Sequence, residues 1–265
     1  MFSGFNIGSV FIGSYAICAV VGIFIAFPLA VYRYKKLTGD GIPLIFVCFF
    51  AAVGVFIGMH LLYGVTNISY WNELTEAADI KEFAALFKSI FGGSVFYGGL
   101  IGGIIAGCIS IKVQKLPADT AADCLTPAIA LFHGFARIGC FMAGCCYGVE
   151  WEHGITFTSS IVDSANGVPR VPVQLIEAGF EFLLAGLLWF LLLKAPRSKG
   201  KLLPLYLLIY SVGRFILEFW RGDEYRGFIL GSSTSQFISI FVFIGSAAFL
   251  VSKSSKQLKK KQDQI

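Results

Sequence analysis

Seven apolar blocks constrain this chain more than any other feature. They lie at about 10–32, 44–64, 95–113, 122–141, 173–194, 202–220 and 229–252. A helix needs roughly 20 apolar residues to cross ~30 Å of hydrocarbon, where each backbone N–H and C=O must be satisfied within the segment. The blocks therefore predict an all-α integral membrane protein with about seven transmembrane helices. Composition agrees, with 56% hydrophobic and 14% charged residues, against about 25% charged in soluble domains. Residues Met1 to Gly8 lack a basic start and no A-x-A-like site follows, so the first block is expected to stay as a span and not be cleaved as a signal peptide. The third block, FYGGLIGGIIAGCISIKV, is glycine-rich. The fourth is the least lipid-like, because it holds His133 and Arg137, and the seventh is the cleanest.

Charge orients the spans. Fourteen of the 21 Lys and Arg fall in four clusters: Arg33, Lys35 and Lys36; Lys112 and Lys115; Lys194, Arg197, Lys199 and Lys201; and Lys253, Lys256, Lys259, Lys260 and Lys261. The alternate loops, 65–94 and 142–172, contain more Asp and Glu than Lys and Arg. Lys and Arg mark cytoplasmic loops, which predicts an N-terminus outside and a C-terminus in the cytoplasm. This placement also accounts for the net charge of +5, so no nucleic-acid partner is expected. Residues 1–252 are expected to form a single transmembrane bundle with outer loops at about 65–94 and 142–172. Residues 253–265 are expected to form a disordered basic cytoplasmic tail near anionic headgroups. Within the first outer loop, Asn67–Phe91 has apolar residues at helical spacing, compatible with an amphipathic interfacial helix or with a solvated loop containing a helical turn. The second, Glu150–Val171, reads as strand or coil with turn signals at Asn166-Gly167 and Pro169.

Ionisable residues inside spans cost about 2.5–3.5 kcal/mol each at a helix centre, which makes them the first place to look for function. In HGFARIGCFMAGCCYG (133–148), His133 and Arg137 are four apart and share one helix face, with Cys140 on the same stripe. Gly144 and Gly148 break the helix and admit backbone close by. An arginine so placed needs an anion, either a carboxylate such as Glu218 or Asp123 or a phosphate. In YSVGRFILEFWRGDE (210–224), Arg214, Glu218 and Arg221 again share a face, and Glu218 can pair with either arginine. Two arginine-bearing helices would make a cationic cavity suited to a phospholipid phosphate. In VPVQLIE (171–177), Pro172 suits a first helical turn, and Gln174 and Glu177 project near the outer boundary, where Glu177 has an ordinary capping role open to it.

Other features have bland explanations. Gly98, Gly99, Gly102 and Gly103 suit close helix packing. His60 suits a satisfied structural histidine. Four of the seven cysteines, Cys18, Cys48, Cys108 and Cys124, lie in apolar blocks and pack as small hydrophobes. The C-x4-C-C spacing of Cys140, Cys145 and Cys146 matches no common zinc pattern, so no metal or other cofactor is expected. Adjacent cysteines also make a poor disulfide pair, although free thiols near the outer face are poised for redox change.

Over nearly its whole length the chain resembles the bacterial prolipoprotein diacylglyceryl transferase family. The family signature, an arginine followed by Gly-Asn-Phe and then Asn-Gly-Glu, stands here as Arg137-Ile138-Gly139-Cys140-Phe141-Met142-Ala143-Gly144-Cys145. Asp123 and Pro127 precede it at the family's distance. Arg214, Glu218 and Arg221, with Asp223 following, match the sixth span. Pro172-Val173-Gln174-Leu175-Ile176-Glu177 stands for Pro-Ser-Gln-Leu-Tyr-Glu, and Ser235-Gln236 for Gly-Gln. Tyr15 sits where the first span of the family carries a functional tyrosine. There are departures. The family's His-Gly-Gly-Leu-Ile-Gly is Tyr97-Gly98-Gly99-Leu100-Ile101-Gly102, its signature Asn and Glu are Cys140 and Cys145, its second-span arginine is His60, and His133 replaces an apolar residue.

The resemblance implies transfer of the diacylglyceryl group of phosphatidylglycerol to the lipobox cysteine of a prolipoprotein, with release of glycerol phosphate, in the bacterial cytoplasmic (inner) membrane. Membrane lipids and a prolipoprotein are the implied partners. In that chemistry Arg137 and Arg214 would clamp the phosphate, Glu218 and Arg221 would orient the clamp, and Tyr15, Gln174 and Glu177 would line the substrate. His133, with an ordinary pKa of about 6.5, is the candidate base; Tyr97 is a candidate hydrogen-bond donor, since a phenol near pKa 10 is a poor base. Three other readings stay open: a related transferase with another acceptor or lipid, a thiol redox membrane protein using Cys140, Cys145 and Cys146, and a transporter or lipid-binding protein with no chemistry, whose usual signs, inverted repeats and broken helices in both halves, are absent.

Overall fold

The computed structural model describes residues 3–194, 199–223, 227–229 and 231–262. Arg197 of the third basic cluster, Glu224, the first two residues and the final three lie outside them. In chain order the elements are β1 (Gly4–Ile7), β2 (Val10–Gly13), α1 (Ser14–Thr38), α2 (Ile42–Thr66), α3 (Trp71–Thr75), α4 (Ile80–Phe91), α5 (Phe96–Val113), α6 (Ala118–Ala143), β3 (Glu150–Thr156), β4 (Pro169–Arg170), α7 (Val173–Lys194), α8 (Leu202–Leu217), β5 (Phe228–Ile229), β6 (Ser232–Ser233) and α9 (Thr234–Gln262). Among the described residues, seven helices are long and apolar enough to cross a membrane: α1, α2, α5, α6, α7, α8 with its continuation to Trp220, and α9. Each expected span falls on one of these helices.

Several ends differ from expectation: the seventh span begins at Thr234, after the β5–β6 pair, and not at 229. The first span begins at Ser14, because residues 4–13 form an antiparallel hairpin closed by Gly8 and Ser9, with Gly8 at φ +61. The basic tail is not disordered over the described residues: α9 continues through Gln262. Residues 253–262 contain no Gly or Pro and are rich in Lys and Gln, which are good helix formers, so the helix meets no stop signal.

The chain forms two compact units, Tyr34–Ala121 and Met1–Arg33 with Ala122–Ile265. In the first unit, α2 and α5 pack backbone to backbone. A Cβ on Gly58 would lie 2.2 Å from the Gly98 carbonyl oxygen, and one on Gly102 would lie 2.2 Å from that of Gly54. Glycine is required there by close approach, as in small-residue interfaces of membrane helices. His60 is a satisfied structural histidine, its Nδ1 2.8 Å from the carbonyl oxygens of both Phe91 and Gly93. The loop at 65–94 does contain a helix. Asp79 caps α4 by accepting from the Glu82 N–H at 2.7 Å, and Phe83, Phe87 and Phe91 stack along one face.

In the second unit, α6 is the most enclosed span, with half of its most apolar stretch buried against 17–39% for the other six. Small residues such as Ala121, Cys124, Ala128, Ala130 and Ala136 let its neighbours approach. Asp123, on α6, accepts the backbone N–H groups of Gly200 at 2.6 Å and Leu202 at 2.9 Å, and so serves the first turn of α8. Gly144, at φ +78, ends α6, and the loop that follows folds back: Ser160 Oγ donates to the Gly144 carbonyl at 2.9 Å. Tyr147, Phe157 and Ala165 form its small buried core. The expected turn at Asn166-Gly167 is present, with Gly167 at φ +78. Gly148 pairs with Arg221, and a Cβ at Gly148 would lie 2.3 Å from the Val171 carbonyl oxygen. At the start of α9, the Ser233 N–H donates to Gln236 Oε1 and the Gln236 N–H donates to Ser233 Oγ, each at 3.2 Å, a reciprocal capping box.

Candidate active site

Three helices bring charged side chains to one place by repeating a single spacing. On α6, His133 and Arg137 are four apart; on α7, Glu177 and Glu181; on α8, Tyr206, Tyr210 and Arg214, followed by Glu218. Residues four apart lie one above the other on a helix face, so the three faces form a two-storey cluster. In one storey, His133 Nδ1 is 2.8 Å from Glu181 Oε1, and the Tyr206 hydroxyl is 3.3 Å from both Glu181 oxygens. In the other, Glu177 is the hub. Its Oε1 lies 2.9 Å from Arg137 Nη2 and accepts from the Tyr210 hydroxyl at 3.2 Å, and its Oε2 lies 3.6 Å from Arg214 Nη1. His133 Nε2 is 3.9 Å from Glu177 Oε1, joining the storeys. Arg214 Nη2 also meets Glu218 Oε2 at 2.7 Å and donates to Ser235 Oγ at 3.2 Å.

Glu177 and Glu181 are 2% and 0% exposed, so their charges are tolerable only because of these partners. Among the described residues the cluster sets Arg137, Arg214 and His133 against Glu177, Glu181 and Glu218. The expected cationic cavity is thus corrected to one that is balanced when His133 carries a proton. Arg137 pairs with Glu177 and not with Glu218 or Asp123, because Asp123 is occupied at the start of α8. Glu177 is no cap but the centre of the network. Two buried N–H groups, Arg137 Nε and Arg214 Nη1, find no hydrogen-bond acceptor among the described residues.

The remaining candidates surround this cluster or belong elsewhere. Glu218 takes Arg214, while Arg221 turns to Asp223, with Nε donating to Oδ1 at 2.8 Å and Nη2 to Oδ2 at 2.6 Å. Burial opposes the charge of Arg221, but Asp223 and the Cys146 sulfur outweigh it and hold the guanidinium above its usual range. Tyr15 packs on α6 one residue from Cys140: a Cβ at Gly139 would lie 3.0 Å from the Tyr15 Cα. Gln174 donates to the Cys145 carbonyl at 2.8 Å. The sulfurs of Cys140, Cys145 and Cys146 lie within 4.8 Å of one another. Hydrogen bonds from the Cys140 and Cys145 thiols, aided by Arg221 and Arg137 against the penalty of burial, hold Cys146 below the ordinary thiol range. The same hydrogen bonding, together with burial, pushes Cys145 up. An apolar crevice of about 270 Å³ opens between α1, α6 and α7, lined by Ala26, Leu29, Pro127, Leu131, Phe182 and Trp189 among others. Tyr97, half-exposed at the start of α5, belongs with His60 to the Tyr34–Ala121 unit.

Sequence reasoning missed Glu181, Tyr206 and Tyr210. The signal was present, since each repeats the four-residue spacing that singled out His133 and Arg137.

Comparison with known proteins adds to this geometry. The model of the prolipoprotein diacylglyceryl transferase family matches residues 3–252. A phosphatidylglycerol–prolipoprotein diacylglyceryl transferase of Clostridium tetani is 35% identical over 246 residues, covering 92% of this chain and 94% of the relative. One from Clostridium perfringens, the second of that name, is 38% identical over 192 residues, 71% of this chain and 70% of its own length. One from Mannheimia succiniciproducens is 30% identical over 262 residues, 93% and 90% of the two chains.

Proposed function

This chain belongs to the prolipoprotein diacylglyceryl transferase family, and from that premise we propose that it transfers the diacylglyceryl group of phosphatidylglycerol to the lipobox cysteine thiol of a prolipoprotein. Glycerol phosphate is the other product. The sulfur–carbon bond forms at the glyceryl carbon, the carbon–oxygen bond to phosphate breaks with its electron pair leaving on the phosphate, and the thiol proton goes to a base.

One observation carries the reading. Arg137 and Arg214 are both held on the Glu177 carboxylate, yet Arg137 Nε and Arg214 Nη1 have no hydrogen-bond acceptor among the described residues. A phosphate entering beside Glu177 supplies acceptors for both, and a low-dielectric site makes those bonds strong where charge develops. Glu177 positions the guanidinium groups and the phosphate completes their hydrogen bonding. Glu218 and Ser235 hold Arg214 from its other side. Arg221, paired with Asp223, stands behind the cysteine turn.

His133 is the base in this scheme. Glu181 accepts from Nδ1 and leaves Nε2 to take the thiol proton. Tyr15, Gln174 and Glu177 are assigned the lining of the substrate's polar end. The crevice beside Pro127 and Leu131 suits an acyl chain. The seven spans make this a multi-pass membrane protein; we place it in the cytoplasmic membrane of a bacterium, with the N-terminus outside and the C-terminus in the cytoplasm.

Purified chain in phosphatidylglycerol liposomes with a lipobox peptide tests the proposal. The expected result is a diacylglyceryl mass gain on the peptide cysteine, matched by glycerol phosphate release. A folded, inserted chain that releases no glycerol phosphate and leaves the peptide unmodified would overturn it.

A further inference from the structure

We propose that Cys140, Cys145 and Cys146 form a three-thiolate site for a thiophilic cation of the zinc class. Their three sulfurs lie within 4.8 Å of one another. A cation 2.3 Å from each of three sulfurs holds them roughly 3.8–4.0 Å apart. Closure on such an ion needs shifts of less than about 1 Å, within the reach of side-chain rotation.

The sequence spacing hides this set because it is assembled by a turn and not by a C-x2-C repeat. Two successive departures into left-handed backbone, Gly144 at φ +78 and Cys146 at φ +58, fold Cys145 and Cys146 back onto Cys140 in the last turn of α6. Left-handed backbone is strained for a residue other than glycine. At Cys146 that strain is spent on bringing a third sulfur to the other two. A disulfide would engage only two of the three and gains nothing from the convergence of all of them. Soft sulfur donors select d10 cations over the hard ones that prefer carboxylates.

The surroundings fit a ligand set. Gln174 Nε2 donates to the Cys145 carbonyl at 2.8 Å and fixes the turn from α7, as outer partners of metal ligands do. Cys140 is buried while Cys145 and Cys146 are partly exposed, so an ion has a way in and a fourth position stays open. Three thiolates around a divalent cation carry a net charge of −1, which Arg221 and Arg137 stand close enough to Cys146 to offset. On binding, three sulfur–metal bonds form and the thiol protons leave to solvent. The inference is independent of the transfer reaction, since no step of that reaction uses these sulfurs.

The test uses the full chain in detergent, reduced with a phosphine and titrated with cadmium ion alone. The expected result is a thiolate-to-cadmium charge-transfer absorption that saturates at one equivalent. Alkylation of Cys140, Cys145 and Cys146, followed by peptide mass, should slow about tenfold or more at that point. The absorption should vanish in the Cys140→Ser, Cys146→Ser double variant and persist in Cys108→Ser and Cys124→Ser. Alkylation of the unaltered chain at the same rate with and without cadmium overturns the proposal, as does an absorption that survives in the double variant. The protection experiment needs no substitution, so a variant that fails to fold does not shelter the idea.

Discussion

Replacing Arg137 by lysine separates the two things this guanidinium does. In the structure Nη2 holds Glu177 Oε1 at 2.9 Å, while Nε is buried without an acceptor. Lysine keeps one positive charge opposite Glu177, so the loss of about 3–5 kcal/mol that follows breaking a buried pair is avoided. Its single ammonium cannot, however, reach Glu177 and a phosphate with the fixed fork of a guanidinium. In the proposed clamp the lost donor serves the leaving phosphate, where removing one preorganised hydrogen bond typically costs about 2.7–4 kcal/mol, or 10²–10³ in rate. The expected outcome for Arg137→Lys is therefore a fall of about 10²–10³ in kcat, with unfolding in detergent close to that of the unaltered chain. Turnover is read by glycerol phosphate release and peptide mass in phosphatidylglycerol liposomes, and folding by thermal circular dichroism. A variant within about threefold of the unaltered kcat, less than ~0.7 kcal/mol, refutes the clamp.

Four further outcomes are expected. Glu181→Gln removes the carboxylate 2.8 Å from His133 Nδ1 and should lower turnover as a fraction of the roughly 10²–10⁴ that loss of a general base costs; equal activity in Glu181→Gln and His133→Ala variants and the parent would remove His133 from the reaction. Gly58→Ala puts a methyl 2.2 Å from the Gly98 carbonyl oxygen and should destabilise by about 1–3 kcal/mol, whereas Gly245→Ala, which meets nothing within 4 Å, should be neutral or slightly stabilising; equal melting of the two would contradict the close packing of α2 and α5. A cysteine at Ser159 should react with a membrane-impermeant maleimide on intact cells and one at Lys115 only after permeabilisation, and the reverse pattern would invert the topology. Cys146, held below the ordinary thiol range by its thiol neighbours and Arg221, should alkylate at neutral pH while Cys145, pushed up, lags; Arg221→Ala should move the Cys146 rate profile to higher pH, and an unmoved profile would exclude Arg221 as a cause.

The spans were legible because length and apolarity are local properties of a segment. Part of the charged cluster was legible because Arg137, Arg214 and Glu218 are expensive residues for a span. Glu177 was seen but undervalued: from its place near the start of α7 it looks like a cap, and only the assembled bundle shows two arginines converging on it. Glu181, Tyr206 and Tyr210 escaped notice because tyrosines and a lone glutamate pass as ordinary residues of a span until a partner helix is placed opposite. The hairpin at residues 4–13 hid inside the first apolar block, and the helical end of α9 hid inside a lysine-rich composition. The cysteine turn was invisible for another reason, since its geometry depends on two left-handed residues that no spacing pattern encodes.

The long-range cap of α8 bears on how the chain is made. The N–H groups of Gly200 and Leu202 find their acceptor on Asp123, 77 and 79 positions earlier. At a synthesis rate of about 5–20 residues per second, that separation is roughly 4–15 s. Vectorial synthesis thus delivers the acceptor before the donors, and α8 enters the bilayer toward a helix already able to receive its first turn. A permuted chain that made α8 before α6 would reverse this order, and slow or incomplete insertion is the expected consequence.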